Sequence, residues 1–183
     1  HKVTVRQLLT HTAGFQDGYG HSGFLPGEKI QSIVGALILP KDANTGKPHA
    51  AIIVNEPGVV MSYSSAGYAV LQLLIEDITK RPFAEYMQEI ILKPLGLTKS
   101  TFSLDSVLAN GRADHLAANY DLNLKSHPHR GYANMAGVSL RATAHDLAKL
   151  VMAYCNDNPV LTKESIKQFG RAQPGTLSTW GLG

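Results

Sequence analysis

The sequence predicts a mainly α fold with a few short strands, an α+β class, in a single domain over residues 1–183. Three observations carry that expectation. Apolar residues recur at helical spacing in several separate segments. Those segments are bracketed by Ser, Thr, Pro or Gly at positions that start or stop helices. The β-branched runs, at 51–54 and 59–62, are short and few.

Each element follows from local chemistry. Thr4 and Gln7 form a capping box that opens a helix from Val5 to His11, with Leu8 and Leu9 inward and Gly14 as its stop. Gly18, Gly20, Gly23 and Gly27 mark a mobile glycine-rich loop. A helix over Glu28 to Leu39 carries Ile30, Ile33, Val34, Leu37 and Ile38 at helical spacing, and Pro40 ends it. Asn44-Thr45-Gly46 and Glu56-Pro57-Gly58 are turns on either side of a short strand at Ala51 to Val54, and Val59 to Ser62 is extended. The central helix runs from Ala66 to Thr79, with Val70, Leu71, Leu74, Ile75 and Ile78 on its buried face. Pro82 suits the first turn of the next helix, where its missing N–H costs nothing. That helix buries Phe83, Tyr86, Met87, Ile90 and Ile91 and stops at Pro94 and Gly96. Residues 103–134 are the least regular, with weak strand character from His115 to Tyr120. Thr143 and Asp146 form a further capping box, opening a helix to Tyr154 whose core face is Leu147, Leu150, Val151 and Tyr154. Thr162 caps a last helix, Lys163 to Phe169.

Composition narrows the function classes. A chain of 183 residues with 44% hydrophobic and 17% charged residues can bury its own core. No apolar run approaches the roughly 20 residues of a membrane-spanning helix. The net charge is +3, and Lys and Arg are scattered instead of interleaved with aromatics, so no nucleic-acid partner is expected. Cys155 is alone, which excludes an internal disulfide, and its place late in an apolar helical pattern reads as a buried small side chain. Eight histidines include His127-Pro128-His129, yet no metal-ligand spacing occurs, and neither a metal nor an organic cofactor is expected. Nor is there a Gly-x-Ser-x-Gly elbow or a phosphate-binding glycine loop.

One stretch, Met61 to Phe102, concentrates the candidate chemistry: MSYSSAGYAVLQLLIEDITKRPFAEYMQEIILKPLGLTKSTF. A polar turn (Ser62, Tyr63, Ser64, Ser65) leads directly into an apolar helix, whose N-terminus offers unpaired N–H groups and partial positive charge. Tyr63-Ser64-Ser65, Gly67-Tyr68, Pro94-Leu95-Gly96-Leu97 and Thr101-Phe102 together resemble the central segment of the serine β-lactamase-like and penicillin-binding-protein-like family. Its members include class C β-lactamases, D-alanyl-D-alanine peptidases and related esterases. Leu8-Leu9-Thr10-His11-Thr12-Ala13-Gly14 and the run from Met135-Ala136-Gly137-Val138 to Asp146-Leu147-Ala148 resemble two more of its segments. The order and spacing of these pieces, which cover most of the chain, make the resemblance specific.

The resemblance implies the helical region of a β-lactamase/transpeptidase-like fold, with the main sheet largely outside the chain. The chain then reads as an excised central part of a larger serine hydrolase, and both ends read as cut. It also implies acyl transfer through a serine ester, on a small-molecule ester, peptide or β-lactam substrate, in a periplasmic or extracellular setting that the residues alone leave undecided. The family's nucleophile lies in Ser-x-x-Lys and its third motif is Lys-Thr-Gly or His-x-Gly. Neither Ser-x-x-Lys nor Lys-Thr-Gly occurs here, and His21-Ser22-Gly23 precedes the Tyr motif, on the wrong side for the family's order. The chain alone is therefore expected to be inactive. Its exposed edges are expected to favour self-association.

Tyr63 is the catalytic candidate, matching the Tyr of the family's Tyr-x-Asn motif. A phenol has an ordinary pKa of about 10, so a catalytic phenol needs ammonium groups beside it. From the residues alone, Tyr63 reads instead as a tyrosine anchoring a turn through its hydroxyl; the resemblance reverses that preference. Ser65 is the substrate-binding candidate, standing where many members carry Asn. A serine keeps a hydroxyl but loses the two amide N–H donors, which favours an esterase or peptidase-like hydrolase over a β-lactamase. Alternatively, Ser65 simply caps the helix. The Asn-to-Ser departure also supports a second reading, a non-catalytic binding or structural module.

Overall fold

A computed structural model describes residues 2–16, 23–38, 50–156, 158–176 and 180–182. Eight α-helices are present among them: α1 (Val5–Leu9), α2 (Ile33–Ile38), α3 (Ser65–Thr79), α4 (Phe83–Met87), α5 (Leu104–Ala109), α6 (Met135–Val138), α7 (Ala144–Cys155) and α8 (Lys163–Phe169). Strands β1 (Asn119–Tyr120) and β2 (Ser126–His127) form a two-stranded antiparallel sheet, pairing Asn119 with His127 and Tyr120 with Ser126. Three isolated antiparallel bridges (Phe15 with Ile53, Phe24 with Gly131, Thr101 with Arg141) tie loops across the molecule. The observed class is mostly helical, as the periodicity predicts.

α3 is the hub. The core cluster of Leu8, Ala13, Phe15, Ile33, Ala66 and Ala69 gathers α1, α2 and the loop after α1 around its first two turns. This contact is made through small residues. A Cβ on Gly67 would stand 2.9 Å from the Leu8 carbonyl oxygen, so the backbones of α1 and α3 meet there with no side chain between them. Gln72, buried on the same helix, holds α6. Its amide donates to the Ala133 carbonyl at 3.0 Å and accepts from the N–H groups of Met135 (2.7 Å) and Ala136 (3.2 Å).

Several details differ from the sequence-based expectation. The capping box at Thr4 and Gln7 forms, but α1 ends at Leu9, because His11 turns into the left-handed region at φ 55°. α2 begins only at Ile33, and the predicted end of that helix, Leu39 with Pro40, lies outside the described residues, as does the turn at 44–46. The same holds for Gly18 and Gly20 of the predicted loop and for His21-Ser22. Ala51 to Val54 contributes one bridge residue, Ile53, instead of a strand. On α3, Leu74 and Ile78 point outward, Ile78 being 72% exposed, because the small-residue face takes the contact with α1. After α4 the chain widens into a π-helical turn, Gln88–Leu92, which rotates the stripe so that Leu92 is buried and Ile90 is exposed.

α7 departs furthest. Thr143 caps it, accepting from the Asp146 N–H at 3.1 Å, but the Asp146 carboxylate does not reach back to complete a box. It accepts instead from the Lys99 N–H (2.8 Å) and the Ser100 hydroxyl (2.9 Å), some 46 residues away in sequence. Asp146 is the buried residue of α7. The expected core residues Leu147, Val151 and Tyr154 are exposed, and so is Cys155.

Candidate functional site

The turn that carries Tyr63 hangs from the loop that follows α1. Gly58 donates its N–H to the Thr12 carbonyl at 2.7 Å, and Ser62 donates to the His11 carbonyl at 2.9 Å. The left-handed His11 is what aims that carbonyl at Ser62. Gly14, at φ 83°, brings the loop so close to Asn55 that a Cβ would overlap the Asn55 carbonyl. Thr10 and Thr12 are fully buried and share a hydroxyl–hydroxyl bond of 2.9 Å, so the loop is pinned from inside as well.

The His11 ring is the platform of the site. Its Nδ1 stands 3.2 Å from both the N–H and the carbonyl oxygen of Ser64. A single ring nitrogen serves one of these at a time: it accepts from the N–H when unprotonated and donates to the carbonyl when protonated. Burial pushes the His11 pKa below its ordinary 6.5 and so favours the neutral ring, an effect partly offset by the Ser64 backbone bond. Tyr63 lies over this ring, centroid to centroid 4.3 Å at a 33° tilt. Tyr68 lies 5.4 Å away, its hydroxyl donating to the Leu9 carbonyl. Burial, and secondarily the neighbouring Tyr63, raise the Tyr68 pKa, so that phenol stays protonated. Trp180 closes the cluster edge-on, 5.4 Å from His11 and 6.3 Å from Tyr63. Gln173 brings it there. Gln173 donates its N–H to the Trp180 carbonyl at 3.0 Å and accepts from the Arg6 guanidinium of α1. The Trp180 indole N–H is buried without a hydrogen-bond partner among the described residues.

Tyr63 is therefore held by its ring and free at its hydroxyl. The residue is 58% exposed, and the hydroxyl makes no hydrogen bond among the described residues. Anchoring of the turn through that hydroxyl, the reading the residues alone favour, is not what the structure shows. The capping role expected for Ser65 belongs to Ser64, whose hydroxyl accepts from the Ala66 N–H at 3.3 Å. Ser65 opens α3 half-buried, with its hydroxyl unengaged among the described residues. Its carbonyl accepts from the Asn134 amide at 3.1 Å, and the same Asn134 caps α6 through the Gly137 N–H at 3.1 Å.

These contacts seat Tyr63 against the His11 loop and tie Ser65, two residues on, to α6. Three participants were not singled out from the sequence: the platform role of His11, the edge-on Trp180 and the Asn134 brace. The Thr-His-Thr string gave a signal for the first. The other two come from sequence distances of more than sixty residues and carry no local signature.

With this geometry in place, the likeness to known proteins becomes interpretable. The family model described as Beta-lactamase matches residues 1–183. The chain belongs to the Beta-lactamase family. A Salmonella typhi protein named for D-alanyl-D-alanine carboxypeptidase activity is 25% identical over 211 residues, taking in all of this chain and 46% of that protein. The chain thus spans about half the length of the curated relatives it matches. Among solved structures, the octameric penicillin-binding protein homologue from Pyrococcus abyssi superposes with a TM-score of 0.70 at 26% identity, over 93% of this chain and 39% of that one. A β-lactamase/D-alanine carboxypeptidase from Pseudomonas syringae superposes at 0.61 and 18% identity, over 93% and 44%; that likeness speaks to the fold. No helix among the described residues is long and apolar enough to cross a membrane.

Proposed function

We propose that this chain supplies the Tyr63 wall of a serine acyl-transfer site in a larger hydrolase of the Beta-lactamase family. The supporting observation is the free, outward Tyr63 hydroxyl, fixed in place by the His11 ring and standing just before the N-terminus of α3. A proton-transfer group needs a rigid mount and an unoccupied hydroxyl, and this one has both. In the reaction, a serine hydroxyl adds to the substrate carbonyl and gives up its proton. The leaving alcohol or amine takes a proton as its bond breaks, and water then releases the acid and regenerates the serine. Tyr63 relays the proton between serine and leaving group. The Ser65 hydroxyl, two residues further along the same turn, contacts the acyl portion of an ester, peptide or β-lactam substrate.

The nucleophile belongs to residues other than these 183, since no Ser-x-x-Lys occurs among them. The chain on its own is accordingly inactive, and the main sheet of the parent is contributed by other residues. The exposed apolar faces, on α7 above all, then drive self-association of the isolated chain.

The test uses the complete protein and the 183-residue chain side by side, with a fluorescent penicillin and a p-nitrophenyl ester followed by intact mass. A covalent adduct is expected on the complete protein and none on the chain. Tyr63→Phe in the complete protein should slow acylation by about 10²–10⁴-fold while leaving circular dichroism unchanged, because only a hydroxyl without hydrogen bonds is lost. Turnover near that of the parent would remove Tyr63 from the mechanism. A complete protein that forms no adduct and carries no Ser-x-x-Lys would instead be the non-catalytic binding module that the Ser65 departure suggests.

A further inference from the structure

A second feature is a cleft beyond α6. It has a volume of about 1000 Å³ and opens between the turn after α4, α5, the β1–β2 hairpin and the segment that joins α6 to α7. It shares no lining residue with the Tyr63 cluster. Its walls carry Lys99, Arg112, Arg130 and Arg141, with His115 and His129, and not one Asp or Glu. The chain as a whole is close to balance, with 17 Lys and Arg against 14 Asp and Glu, so this is segregation of charge and not a basic chain showing through.

The neighbouring carboxylates are turned elsewhere. Asp146 is engaged by the Lys99 N–H, the Ser100 hydroxyl and, at 3.9 Å, the Lys149 ammonium, and the Lys99 ammonium has no carboxylate within 4.0 Å among the described residues. Asp105 acts on Arg141 only through space, and Asp114, between Arg112 and His115 in sequence, is not part of the lining. The half-buried Arg141 spends its guanidinium on neutral partners, donating to the Arg130 carbonyl at 2.8 Å and the Ser139 carbonyl at 3.1 Å. Burial depresses its pKa, partly offset through space by Tyr132 and Asp105. Arg130 is similar, donating to the Gly23 carbonyl at 3.2 Å. The walls are built to stay apart. Thr101 and Arg141 exchange both backbone hydrogen bonds (2.9 and 2.8 Å), and the Asn119 amide meets the His129 ring at 3.2 Å.

We infer that this cleft is a binding site for a small organic polyanion, a phosphate ester or polycarboxylate, held by Arg112, Arg130, Arg141 and Lys99. Planar guanidinium groups match the two-oxygen edge of phosphate and carboxylate, and a walled concavity of one sign focuses the field on its contents. The volume, at the upper end of the ~300–1000 Å³ of small-molecule sites, is too large for a bare inorganic ion and suits an organic ligand with several anionic groups. The site is independent of the acyl-transfer reading and stands or falls separately.

The complete protein is titrated by calorimetry at low ionic strength with a sugar bisphosphate (fructose 1,6-bisphosphate) and with citrate, the two arms distinguishing phosphate ester from carboxylate. Saturable one-to-one binding to either, weakened by added salt, is expected. The double variant Lys99→Gln/Arg112→Gln removes two exposed cations without touching the Arg141 brace and should weaken binding at least about tenfold. Lys167→Gln, on α8, should leave it unchanged. Absence of saturable binding in both arms overturns the inference, as does equal loss in the double variant and the α8 control. Binding of heparin or an oligonucleotide alone, with neither small anion, also overturns it.

Discussion

α3 and α7 are both capped helices with an apolar stripe, and their sequences suggest the same fate. Their environments are opposite. α3 buries Ala66, Gly67, Ala69 and Gln72 and gathers α1, α2 and α6 around it. α7 buries Asp146 alone and presents Leu147 (45% exposed), Val151 (61%) and Met152 (60%) to solvent. An apolar stripe states that a helix can be covered; it does not state by what. The hub helix is fixed by close backbone approach and polar clamps; the peripheral helix is held by the buried Asp146 carboxylate, by Lys149 on the Gly96 carbonyl and by Tyr154 against Phe169.

That contrast can be broken in several places, beginning with the largest effect. Asp146→Ala leaves the Lys99 N–H and the Ser100 hydroxyl without their acceptor, and a loss of about 2–4 kcal/mol in urea unfolding is expected. A loss under 1 kcal/mol would mean that α7 is held by its flanks. Gly67→Ala forces α1 and α3 apart and should cost about 1–3 kcal/mol, read by the same titration. Were it neutral, the small-residue contact would not be what seats α3.

Smaller effects sharpen the comparison. Leu147→Ser with Val151→Ser should lower the stability of the chain by no more than about 1 kcal/mol, since both side chains are already substantially exposed. The same pair should reduce self-association in sedimentation velocity; an unchanged distribution would acquit the α7 face. The smallest effect concerns pH. Burial lowers the His11 pKa below 6.5, so on acidification the unfolded chain takes up the proton first. Its contribution is fully present above about 6.5 and is lost as pH falls from there through the folded-state value. His11→Gln should flatten the dependence of melting temperature on pH between about 7.5 and 5, and an unaltered slope would contradict the buried, neutral ring.

Much of the local structure was legible because it is short-range. The Thr4 box, the Thr143 and Thr162 caps, the α3 span to within one residue and α8 in full depend on contacts three or four residues apart. The stripes on α4 and α7 were misread for a physical reason. A π-helical turn rotated the first, and on the second only Tyr154 meets a neighbouring ring, Phe169 of α8, while Leu147 and Val151 stay exposed. At the site, Tyr63 and Ser65 stood out by motif, but Ser64 took the cap because its extended backbone (φ −148°) sets its hydroxyl before the first helical N–H.

The sequence by itself determined where helices begin, which family the motifs resemble, and that the Ser-x-x-Lys nucleophile is absent. All of these follow from residue identity and from spacing along the chain. Only the tertiary structure decided that His11 underlies Tyr63, that Trp180 closes the cluster, that Asn134 braces Ser65, and that four cations share a cleft free of carboxylates. Those pairings join residues tens to more than a hundred positions apart. They exist only once packing has excluded water and fixed which groups face one another, and no local pattern encodes that.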